Sequence, residues 1–222
     1  MRTLLLALTL LVAAAAPAAA TTSPAATTSA LPTTSALPTP LEAGTPLSTW
    51  TGARCANGFN VRGHLIASPS CGIVGTIVYG PGGVDIGPIV AVRPAYAVVR
   101  ITNTAAWVQR PTVAGRIGTT VRGSVETPVG GQVCAVGRTT GLRCGTVVAK
   151  NVTVNYPTGV VSGLTRTNVC VEPGEHWSPL LTGSHAQGHV LGASGNCSSG
   201  GSSYFYPLNR ILAEGGFTLV TG

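Results

Sequence analysis

From about residue 49 onward the chain reads as short apolar runs of Val, Ile and Thr, separated by Gly, Pro and Asn. GTIVYG (75–80), YAVVRITN (96–103), CGTVVAKNVTVNY (144–156) and GFTLVTG (216–222) are the clearest of these runs. β-Branched and aromatic runs bounded by turn formers predict strands joined by tight connections. Helical periodicity is scarce. One segment carries it, PLNRILAEG (207–215), with proline where a first turn tolerates a missing N–H and glycine where a helix stops. Many short strands with frequent glycine predict an all-β fold of barrels or sandwich sheets, and residues 49–222 are enough for two small barrels with substantial cores.

The first 48 residues have a different texture. Arg2 precedes an apolar run from Leu4 to Ala16, and small residues stand at Ala18 and Ala20. That three-part pattern predicts an export signal over residues 1–20, and the run before Pro17 is short for a span needing about 20 residues. Residues 21–48 are nearly all Thr, Ser, Ala, Pro and Leu, with TTSALP at 27–32 repeated at 33–38. Such a stretch buries too little apolar area to offset chain entropy and predicts a disordered, extended linker.

Six cysteines in an exported chain predict disulfides, for which fifteen connectivities are possible. The intervals favour Cys55 with Cys71 around an early hairpin, Cys134 with Cys144 around a tight loop, and Cys170 with Cys197 in the glycine-rich C-terminal part. Neither a C-x-x-C pair nor matched His spacing points to a metal, and His185 and His189, about 13 Å apart on an extended strand, are too distant to share one. No metal and no cofactor are expected.

The chain has 13 Lys+Arg against 6 Asp+Glu, a formal charge of +7, and every base but Lys150 is arginine. The arginines are scattered singly, which argues against a nucleic-acid site and reads first as a solubilising surface. Adhesion to acidic cell-wall polymers is the alternative. The localisation expected is secreted, extracellular or cell-wall associated, as a monomer without a transmembrane segment.

CANGFNVR (55–62), GRTTGLRCGTVVAKNVTVNY (137–156), GLTRTNVCVEPG (163–174) and GNCSSGGSSYFYP (195–207) resemble the secreted chymotrypsin-like serine proteases of the α-lytic and streptogrisin type. The likeness runs from about Gly52 to Gly222. It implies two antiparallel six-stranded β-barrels, one over about 49–120 and one over about 121–222, followed by a short C-terminal helix, with the site in the cleft between the barrels. It also implies the same three disulfides, Cys55–Cys71, Cys134–Cys144 and Cys170–Cys197.

A serine protease needs a hydroxyl nucleophile, an imidazole to take its proton and a carboxylate to orient that imidazole. Carried over from the resemblance, the three positions hold Ser70 in place of the histidine, Ala95 in place of the aspartate and His176 in place of the serine. Asp85, ten residues before Ala95, would need another loop path to replace the carboxylate, and His64 reads as a surface histidine. The former oxyanion and substrate cleft falls on Gly174, Glu175, Trp177, Leu191, Gly192 and Ala193, with the Trp177 indole expected to obstruct it. Arg138 and Glu175 are expected to form a structural ion pair. On these substitutions the sequence predicts no enzyme but a non-catalytic protease homologue, a binding or structural module whose partner is an extended peptide or an acidic wall polymer. The alternative is a serine-type hydrolase acting through a rearranged Ser70/His176 pair. A third reading makes the linker the useful part.

Overall fold

The computed structural model describes residues 37–222. The export signal and most of the repeated linker lie outside the described residues. The first strand, β1 (Thr39–Ala43), precedes a closed barrel of β2 (Pro46–Thr49), β3 (Arg54–Val61), β4 (His64–Ala67), β5 (Ile77–Tyr79), β6 (Asp85–Arg93) and β7 (Tyr96–Arg100). A linking hairpin follows, β8 (Trp107–Val113) and β9 (Arg116–Thr120). The second closed barrel holds β10 (Gln132–Gly137), β11 (Gly141–Tyr156), β12 (Gly159–Thr167), β13 (Pro179–Thr182), β14 (His185–Asn196) and β15 (Gly200–Pro207), and the chain ends after α1 (Leu208–Gly215).

The apolar alternation explains where each strand faces. The first barrel closes around Leu47, Leu65, Val78, Ile86, Ile89 and Val99. The second closes around Val133, Val147, Val169, Leu180, Val190 and Phe205. A third cluster joins them, in which Val61, Ile66 and Tyr96 of the first barrel meet Leu164 and Tyr206 of the second and Ile211 of the helix. Strand β7 is buried from Tyr96 to Val99 because one face looks into its barrel and the other into this seam. Helix α1 stops at Gly216, which takes the left-handed conformation (φ 61°) and returns its N–H to the Ala213 carbonyl.

The linker boundary differs from the composition-based expectation. Among the described residues the first strand, β1, already lies inside the span 21–48. Leu41 (0% exposed) and Ala43 are buried, β1 pairs in parallel with β8, and the Asn60 side-chain amide donates to the Leu41 carbonyl at 2.7 Å. A composition window averages one leucine and one alanine into their Thr/Pro surroundings, whereas packing acts on those two side chains alone.

Disulfides join Cys55–Cys71, Cys134–Cys144 and Cys170–Cys197. The first pins the turn that carries Ser70, and the third pins the segment before Gly174 to the end of β14. No helix among the described residues is long and apolar enough to cross a membrane.

Candidate active-site cleft

On the first barrel the candidate positions begin with the turn leaving β4. Ser68, fully buried, caps a short 3₁₀ turn over Pro69–Cys71 by accepting the Ser70 N–H at 3.0 Å, and its hydroxyl bonds to that of Ser70. Ser70 is exposed. Ala95 sits buried in the turn between β6 and β7. Asp85 is tied to the far end of β6, where the Asn103 side chain donates to its carboxylate at 3.1 Å and the Trp107 indole to its carbonyl at 2.8 Å. His64 packs on Phe217.

On the second barrel the candidate positions fall on the loop from Gly174 to Ser178. Gly174 adopts φ 90°, as only glycine does easily, and His176 is exposed. Trp177 is a bulky residue at φ 80°, a conformation that costs on the order of 1–3 kcal/mol and persists only where neighbours enforce it. Its N–H donates to the Val190 carbonyl at 2.8 Å, and the Ser178 hydroxyl donates to the Glu175 carbonyl at 2.8 Å.

Two sequence-based expectations about this loop are corrected. The Trp177 indole does not lie across the cleft; it is 8% exposed and stacks on the His189 ring with centroids 4.5 Å apart. The positive φ turns the side chain inward. Glu175 is not held by Arg138, which is exposed. Its carboxylate takes the Thr139 N–H at 2.7 Å, the Thr140 N–H at 2.8 Å and the Thr140 hydroxyl at 2.7 Å, and the one salt bridge among the described residues is Lys150–Glu126. Burial by itself raises the Glu175 carboxyl, but the Thr140 and Thr139 hydrogen bonds outweigh it and hold the group below the usual carboxylate range.

Leu191, Gly192 and Ala193 lie on β14. On one side Gly192 pairs with Tyr204 and Ala193 with Ser203 of β15. On the other, the ladder with β13 ends at the Pro179–His189 pair, so no strand among the described residues covers that edge from Leu191 onward.

His189 went unrecognised in the sequence as part of this site. It is wholly buried, and its Nε2–H donates to the Ala95 carbonyl at 3.3 Å while Nδ1 has no partner. Burial pushes its pKa down to about 4, partly offset by the Ala95 bond, so the ring is neutral. Gly58 makes the room: a Cβ there would lie 2.7 Å from Nδ1. Only this pairing of a glycine in β3 with a histidine in β14 could have signalled the site, and the two are 131 positions apart. Beside Ala95, a cavity of about 500 Å³ is lined by Arg93, Tyr96, Val161, Ser162, Tyr206 and Glu214. Among the described residues no three His, Cys, Asp or Glu side chains gather as a metal site.

No protein-family profile matches the chain. It is 44% identical over 168 residues to streptogrisin-C of Streptomyces griseus, covering 74% of this chain and 35% of that protein. It is 34% identical over 165 residues to serine protease 2 of Streptomyces fradiae, covering 68% of this chain and 94% of that protein. The chain spans 35% of the length of streptogrisin-C and 59% of that of streptogrisin-A. Among solved structures, Thermobifida fusca protease A superposes with a TM-score of 0.72 at 39% identity, covering 83% of this chain and 100% of that one. Cellulomonas bogoriensis chymotrypsin gives a TM-score of 0.74 at 36% identity, with the same two coverages.

These relatives overturn the expectation of a non-catalytic protein that is not an enzyme. They are named as serine proteases, nothing among them points to a pseudoprotease, and the hydrolase alternative fits them better. The expectation rested on three motif positions and an obstructing indole, and residue order along a motif does not report which side chains fold into or out of a cleft. The chain belongs to the streptogrisin and α-lytic type of chymotrypsin-like serine proteases.

Proposed function

We propose that the chain is an exported serine-type hydrolase acting on extended peptides, with Ser70 as nucleophile and His176 as general base. The observation that carries this reading is its kinship to proteins named as proteases, two of whose solved structures are covered over their whole length. Three features support it. The Trp177 indole is turned inward, the β14 edge from Leu191 is without a strand partner, and Ser70 and His176 are both exposed. A peptide adding a strand to that edge would gain main-chain hydrogen bonds whatever its side chains.

The reaction would run as an acyl transfer. The Ser70 oxygen forms a bond to the scissile carbonyl carbon while the His176 imidazole takes its proton, the C–N bond breaks as the imidazolium returns that proton to the leaving amine, and water repeats the cycle on the ester. The disulfides fit an oxidising, extracellular compartment. Attachment to acidic wall polymers would rest on the scattered arginines alone and is not needed.

Treating the purified chain with a fluorophosphonate probe and mapping the adduct tests the reading. The expected result is one label on Ser70, lost in Ser70→Ala and slowed by about a hundredfold or more in His176→Ala. No label on any serine, together with no turnover of a broad peptide library, would overturn it; a label on Ser178 would move the nucleophile across the cleft.

A further inference from the structure

The family positions leave Ala95, with no polar side chain, where a carboxylate would stand. A polar link crosses the seam there nonetheless, and it comes from a strand of the opposite barrel. His189 on β14 reaches the backbone carbonyl of Ala95 in the first barrel with Nε2–H and packs its ring against Trp177, tilted by 36° with centroids 4.5 Å apart. Gly58 on β3, again in the first barrel, closes over Nδ1. One imidazole therefore touches the turn before β7, strand β3 and the loop that bears His176.

We infer that His189 is a positioning residue of the cleft, holding Trp177 in its left-handed conformation and thereby fixing the loop that carries His176 against the turn that carries Ala95. Three independent observations converge on it. A tryptophan at φ 80° needs an enforcing neighbour, and the ring 4.5 Å away is an immediate one. The hydrogen bond to Ala95 fixes the imidazole tautomer, with Nε2 as donor and Nδ1 bare. A glycine stands at position 58, where a Cβ would lie 2.7 Å from Nδ1 of the ring. A histidine that only filled the core would account for the burial and for the glycine but not for the tryptophan conformation.

The inference rests on the hydrolase reading only for its activity arm, and the test uses the full chain with H189L, H189Q and W177F. Gln keeps an N–H that reaches toward Ala95, and Leu removes it at similar volume. Three readouts are taken, with circular dichroism confirming the fold of each variant. Tryptophan emission followed into acid is expected to show a transition centred near pH 4 in the wild type, absent from W177F and from both His189 variants. Amide exchange of residues 174–178 is expected to speed up by about tenfold in H189L and to stay within about threefold in H189Q. Fluorophosphonate labelling is expected to follow the same order. Unchanged exchange in H189L, or an emission transition that survives in H189Q, overturns the inference. Should the wild type take no label and turn over no peptide, the hydrolase reading fails alone, because emission and exchange still decide whether His189 holds the loop.

Discussion

His189 is a neutral imidazole in a place where a charge would be costly, and that has a measurable consequence in acid. Its pKa lies near 4 in the fold against an ordinary 6.5. Between those values the unfolded chain binds a proton that the native state refuses, so stability is complete above about pH 6.5 and is lost as the pH falls toward 4. The loss is on the order of 3 kcal/mol. Glu175 adds a second leg in the same direction, since its carboxyl is depressed and its share of stability disappears as the pH falls below the ordinary 4.5. Denaturant melts at pH 7, 5 and below 4 are expected to separate the two: H189Q removes most of the first leg, and Glu175→Gln flattens the second while lowering stability at neutral pH. A wild type equally stable at pH 7 and pH 4 would show that the imidazole is solvated after all. These two residues also mark how far the sequence could be read. Charge complementarity, visible in a string, points Glu175 to Arg138, whereas two amides and a hydroxyl converging on its carboxylate are a matter of loop shape.

At the scale of elements, strands with strong β-branched runs were legible because their periodicity is local, and α1 was legible because proline and glycine punctuate it. Strand β1 was not. Its burial comes from Leu41 and Ala43 meeting β8 and from the Asn60 side chain bonding to both the Leu41 and Arg110 carbonyls, contacts that join positions up to 70 residues apart. Leu41→Ala should therefore cost about 2–4 kcal/mol, in the range for a fully buried leucine. Equilibrium unfolding in denaturant checks it. A change below about 0.5 kcal/mol would mean that β1 is a dispensable strap, as its composition suggested. The disposition of Trp177 belongs to the same scale. An indole in the position of a glycine reads as a plug when only spacing is known, and the backbone reverses that reading by entering the left-handed region, where the side chain points to β14 instead of the cleft.

For the whole molecule the question is what keeps two separately closed barrels in register across the cleft, since each has its own core. His189 links them through the Ala95 carbonyl, and a second device links them through α1. Tyr96 of β7 and Tyr206 of β15 both donate to the Glu214 carboxylate on α1, at 3.0 Å and 2.5 Å, so that one acid collects a phenol from each barrel. Arg210 lies over the Tyr206 ring, 5.1 Å from its centroid. Burial, and then the bond to Glu214, push both phenols up to about 12 from the ordinary 10. In this direction the unfolded chain gives up its protons first, so the clasp contributes fully below pH 10 and its share is lost as the pH rises from 10 to 12. The chain has five tyrosines. An ultraviolet phenol titration of the folded protein is expected to show two of them ionising near 12, with Tyr156, raised chiefly by its own burial, also late. Glu214→Gln should lower the late pair while leaving it above 10, because burial, the larger cause, is untouched. It should also speed amide exchange in β7 and β15 together, since losing the acid releases both barrels at once. If the five phenols titrate as a single group near 10, or if exchange rises in only one of the two strands, Glu214 is a surface residue beside two core tyrosines and the barrels are held by their apolar seam alone.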